Sequence, residues 1–173
     1  MKPYFYPALT AAFLGAVVTS DKGSILPIQT AAIASPHTIP LTLEEVIASS
    51  QKIFSGVCVK AEEFPKDPVA KVPSIEFTFK ITDGLKGVMG NEIKFKQYNR
   101  PELVSGYAKG QKFILFLATP SPKTGFTAPI GLEKGHFNVQ TKNGKEFVNY
   151  KGKEIPYEDF VEVVKSFLKE KAK

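Results

Sequence analysis

The chain of 173 residues is 43% hydrophobic, 12% aromatic and 23% charged, the proportions of one globular domain with ordinary surface charge, which exclude a disordered tail, a collagen-like repeat and a polytopic membrane protein. A net charge of +6 accompanies 14 Phe and no Trp, which points to a phenylalanine-rich core, and a single Cys excludes an internal disulfide framework. Two histidines, His37 and His136, are too few for a multi-histidine metal site or a histidine-based catalytic apparatus, so neither metal nor cofactor is expected.

The N-terminus has the layout of a secretory signal: Lys2 supplies a positive start, and Pro3 to Ser20 then runs without a charge, centred on Ala8 to Val18. Residues 1–34 are read as this signal. Cleavage is possible after Ser20 or after Ala34, where Ala32-Ile33-Ala34 offers the small residues a signal peptidase accepts. The alternative is an uncleaved anchor, since the apolar stretch approaches the roughly 20 residues needed to span a bilayer; Pro7 and Gly15 argue against it, and no stable membrane insertion is expected after cleavage. Cleavage after Ala34 removes Lys2 and Lys22 against Asp21 and leaves the body basic. Export argues against nucleic acid as a partner. Anionic envelope polymers and acidic proteins both suit the charge, which alone does not choose between them.

Residues 35–41 form a linker punctuated by Pro36 and Pro40, with His37 as a solvated residue of it. Residues 42–173 form one domain. Thr42 with Glu45 three positions on is a capping box, and Leu43, Val46 and Ile47 give the following short helix one apolar stripe. Strands then follow. Ile53 to Glu62 is valine-rich with Gly56 inside it, a sign of a bulge or tight bend; its alternation places Cys58 on the same face as Lys60. Ile75 to Thr82 and Ile93 to Lys96 alternate apolar and polar residues, as half-buried strands do. Lys112 to Ala118 is apolar on both faces, so something must cover its outer side. Asn143-Gly144 predicts a hairpin pairing His136–Thr141 with Lys145–Tyr150. Phe64–Ser74 and Thr119–Gly135 are long loops, functional or mobile. A final helix, 156–171, opens at Pro156 and carries Tyr157, Phe160, Val161, Val164, Phe167 and Leu168 as an apolar stripe suited to covering the sheet.

The succession Ile53-Phe54-Ser55-Gly56-Val57-Cys58-Val59, Phe77-Thr78-Phe79-Lys80-Ile81 into Gly84-Leu85-Lys86-Gly87, and Gly110 to Leu117 resembles the netrin-like module. That module has the OB-type barrel found in tissue inhibitors of metalloproteinases. Gly131 to Val139 resembles exported bacterial proteins of the same pattern. The resemblance covers about residues 50–150 and implies a mainly β fold: an OB-type antiparallel barrel of five to six strands, flanked by the short N-terminal and the amphipathic C-terminal helix. The animal inhibitors place an N-terminal Cys on the protease zinc and brace it with disulfides. The single Cys58, inside a strand, reproduces neither feature.

No enzyme motif emerges. Cys58 and His136 are not placed together by the sequence, and the adjacent carboxylates of Glu44-Glu45 and Glu62-Glu63 diverge in either helix or strand. What remains is a surface: Thr78, Lys80, Lys94 and Lys96 occupy the polar face of two sequence-adjacent strands. The expected function is therefore an exported, non-enzymatic binding domain, periplasmic or secreted, for an envelope or extracellular protein or an anionic polymer. The alternative is an inhibitor or accessory factor of an exported metalloprotease that does not chelate its zinc.

Overall fold

The computed structural model describes residues 41–99 and 106–170; the expected signal segment 1–34, the linker as far as Pro40 and His37 within it lie outside them. The first element, α1 (Leu43–Ser49), starts where the capping box predicts it. The Glu45 amide donates to Thr42 Oγ1 at 3.2 Å, and the Thr42 amide donates to Glu45 Oε2 at 2.7 Å. Its apolar side, Leu43, Val46 and Ile47, is buried.

Seven strands follow: β1 (Lys52–Phe64), β2 (Ser74–Lys86), β3 (Glu92–Tyr98), β4 (Lys112–Leu117), β5 (His136–Lys142), β6 (Lys145–Tyr150) and β7 (Lys153–Pro156). They form one antiparallel sheet in the order β3-β2-β1-β4-β5-β6-β7. The second helix, α2 (Tyr157–Glu170), begins directly after Pro156, which ends β7 rather than opening the helix. Among the described residues no helix is long and apolar enough to cross a membrane.

The fold is thus mainly β with two flanking helices, but the expected closed barrel of five to six strands is not formed. The sheet is open. Between β3 and β4 stands segment 126–130, which makes only two isolated bridges, Lys96 with Phe126 and Leu117 with Pro129. A proline lacks the N–H a ladder needs, so this segment does not extend as a strand. Nor is Thr119–Gly135 a free loop: the Thr127 amide donates to the Lys96 carbonyl at 2.9 Å and the Ile130 amide to the Phe116 carbonyl at 2.9 Å. On the far side of β4 the chain adds β5, β6 and β7. The Asn143-Gly144 hairpin is present with both residues at positive φ, 51° and 74°, the conformation that suits a two-residue turn. A second such turn at Lys151-Gly152 creates β7, which the sequence reading missed.

Alternation along β4 divides the core in two. Phe113 and Leu115 join Phe77, Phe79 and Phe95 in one cluster, the set expected to meet. Ile114 and Phe116 face the other way, under Phe160, Val161 and Val164 of α2. The helix therefore covers the outer side of the doubly apolar strand, as its stripe requires. It is also pinned by polar groups: the Tyr157 hydroxyl donates to Asp83, and Lys112 Nζ lies 3.8 Å from the centre of the Tyr157 ring. Burial, reinforced by Asp83, pushes the Tyr157 hydroxyl up to about 12.

Cys58 departs from the expected face. Cys58 is opposite Phe79 while Lys60 is opposite Thr78, so Val59 is an extra residue and β1 bulges there. One inserted residue reverses the side-chain parity. Lys60 therefore points to solvent, and Cys58 is buried in the aromatic cluster.

Candidate functional site

The polar face of β1–β3 does gather the residues singled out from the sequence. Thr78 is opposite Lys94, Lys80 opposite Glu92 and Lys96 opposite Glu76. The same pairing brings carboxylates into the patch. Lys94 is 3.8 Å from Glu92, Lys60 is 2.6 Å from Glu62, and Lys96 is 3.0 Å from Asp67. Among the described residues Lys80 has no ion-pair partner. Thr78 is only 5% exposed, so its hydroxyl offers little to a ligand. Exposed pairs of this kind contribute about 0–1 kcal/mol each. Their main effect is to cancel the positive field that an anionic polymer would seek.

Asp67 explains why the Phe64–Ser74 connection is ordered. Its Oδ1 accepts from the amides of Val69 and Ala70, both at 2.8 Å, and its Oδ2 accepts from Lys96 Nζ at 3.0 Å. These donors, the Ala70 amide foremost and then Lys96, hold its carboxyl down to about 2 from an ordinary 3.8. A depressed folded-state value means that the ionised carboxylate stabilises the loop fully above pH 3.8, and that this contribution is lost as pH falls through about 2. An NMR titration of Asp67 is expected to show its midpoint near 2, with the Val69 and Ala70 amides gaining exchange rate over the same range. A midpoint near 4 would show that these bonds are not held in solution.

Tyr107, invisible as a functional or core residue in the sequence, plugs the aromatic cluster from outside the strands. Its ring meets those of Phe77, Phe113 and Phe79 edge-on at 4.7, 5.1 and 5.4 Å. Its carbonyl accepts a weak bond from Cys58 Sγ at 3.5 Å, and its ring meets that of His136 at 6.1 Å. Burial pushes the Cys58 thiol up, away from the thiolate a nucleophile needs. The Gln97 amide beside this cluster is buried without a hydrogen-bond partner. Its influence on the Tyr107 hydroxyl is outweighed by burial, which raises that group well above the ordinary tyrosine range.

A concave site lies on the other side of the molecule, where β5 and β6 separate. Their ladder ends at Val139–Val148. Beyond it, Phe137 and His136 pair outward with Ile114 and Leu115 of β4, and Asn149 and Tyr150 pair outward with Glu154 and Lys153 of β7. The gap is a groove of about 470 Å³, lined by Leu41, Leu43, Val46, Phe137 and Tyr150, with Lys134 and Lys151 also lining it. His136, Asn138, Gln140 and Asn149 complete the lining. The signal missed in the sequence was composite: the Lys-Gly turn that pulls β6 onto β7, and the apolar Leu43 and Val46 of a helix too short to cover both strands. Among the described residues no three His, Cys, Asp or Glu side chains gather to hold a metal ion.

Fold and site together define a β-rich domain with flanking helices and one ligand-sized groove between helix and sheet. No protein-family model matches the sequence, and no curated protein matches it as a relative.

Proposed function

We propose that this chain is an exported, non-enzymatic binding domain that contacts its partner through the groove between α1 and the separated strands β5 and β6. The observation that carries the reading is the groove itself: about 470 Å³, within the size range of ligand sites, with apolar residues and lysines in one lining. Cys58, buried and held protonated, supports a binding role over nucleophilic chemistry. The face of Thr78, Lys80, Lys94 and Lys96 is the weaker candidate, because Glu92 and Asp67 already engage two of its lysines.

The test is site-specific photo-crosslinking in cells that produce the protein. A photoreactive residue replacing Tyr150 is expected to yield a discrete adduct in the envelope or secreted fraction, while the same residue at Lys80 yields none. Adducts from Lys80 alone would return the role to the β1–β3 face. Recovery of the full chain, Met1 included, from the cytosol would overturn export.

The architecture supports a second reading. The run from β3 through segment 126–130 to β4, tied by the Lys96–Phe126 and Leu117–Pro129 bridges, is consistent with an opened OB-type ring of the netrin-like kind. On that reading the domain assists or inhibits an exported metalloprotease. With its one sulfur ligand buried in the core, it would do so by blocking the cleft and not by chelating zinc.

A further inference from the structure

The groove has three properties that together define its occupant. The first is backbone: past Val139–Val148 the facing edges of β5 and β6 are not paired with each other, although each strand is paired on its outer side. A strand edge of this sort is completed by another extended chain, which supplies main-chain hydrogen bonds along its length. The second is the apolar lining from Leu43, Val46, Phe137 and Tyr150, which takes side chains at alternate positions of such a chain. The third is charge: neither Lys134 nor Lys151 has a carboxylate partner among the described residues, and Lys151 Nζ sits 5.2 Å from the centre of the Tyr150 ring.

From these we infer that the groove binds an extended acidic peptide segment of a partner protein, apolar residues seated between α1 and the strands and alternate carboxylates on Lys134 and Lys151. The inference rests on the groove being the binding surface and adds the class of its ligand. A fatty acid would satisfy the lysines and the apolar lining but not the strand edges. An acidic polysaccharide would satisfy the lysines but leave the apolar lining wet. A peptide meets all three at once.

The probe is a random heptapeptide display library selected against the full chain, followed by titration of the enriched peptides. Enriched sequences are expected to alternate apolar residues with Asp or Glu and to shift the amide resonances of residues 136–138 and 149–150. The double variant K134E/K151E, which alters two exposed side chains, is expected to weaken a selected peptide at least tenfold. A peptide with each acid replaced by lysine should regain that affinity on the variant. Enrichment without acidic residues, an unchanged affinity on the variant, or no enrichment at all overturns the inference. Titrations with dodecanoate and with dextran sulfate separate this failure from failure of the groove reading. Dodecanoate shifts confined to the groove, with no peptide enriched, overturn the peptide alone. Dextran sulfate shifts confined to Lys80 and Lys94 overturn both.

Discussion

Phe79→Ala is expected to lower the free energy of unfolding by about 3 to 5 kcal/mol, the cost of deleting a fully enclosed phenyl ring and leaving the cavity unfilled. Phe79 is fully buried. Its ring lies 5.7 Å from Phe95, 5.4 Å from Tyr107, 5.8 Å from Phe54 and 6.3 Å from Phe113. Those neighbours come from β3, β1, β4 and the 106–111 connection, so the cavity cannot collapse without moving several elements at once. The control is its neighbour in sequence. Lys80→Ala, on the opposite face and without an ion-pair partner among the described residues, is expected to change stability by under about 0.5 kcal/mol. Urea midpoints measured at constant slope decide the matter, and equal losses at the two positions would show that the register of β2 is wrong.

Gly56 is the second position where a small change has a large effect. A Cβ placed there would stand 2.7 Å from the Lys80 carbonyl oxygen, and that oxygen belongs to the partner backbone, which cannot swing away as a side chain can. Gly56→Ala is expected to cost about 1 to 3 kcal/mol through this overlap, and Gly56→Val more, since the branched side chain adds bulk at the same contact. The close approach has a cause in the pairing. Ser55 is opposite Asp83 while Gly56 is opposite Ile81, so Thr82 is an extra residue that bends β2 toward β1. Circular dichroism melting of the two variants checks this, and a Gly56→Ala midpoint equal to that of the unaltered protein would contradict the close contact.

The elements that were legible are those whose causes lie within a few residues of one another. The Thr42–Glu45 capping box, the period-two alternation of Ile75–Thr82, the positive-φ demand met by Asn143-Gly144 and the apolar stripe of α2 are each local arguments, and each element is present. The shared core of Phe77, Phe79, Phe95, Phe113 and Leu115 also followed from parity, because no bulge interrupts those strands at the core residues. The face of Cys58 did not follow, because a single extra residue at Val59 reverses parity without any change in composition that announces it. The lysine patch was legible as a set of positions and misread as a field. Glu92 could have been counted on the strand next to Lys94, but Asp67 reaches Lys96 from a loop 29 residues away.

By itself, then, the sequence determined which segments are strands and helices, which of their sides are apolar, and that the doubly apolar β4 had to be covered by something. These follow from periodicity and from the conformational demands of single residues, which act over one or two turns of chain. Only the tertiary structure decided that the sheet stays open, that segment 126–130 bridges β3 to β4 without becoming a strand, and that β5 and β6 separate to leave a groove beside α1. Those outcomes depend on how many ladder bonds each strand can make on both of its edges at once. Such a competition is settled between residues as far apart in sequence as Leu43 and Tyr150, and no local pattern encodes it.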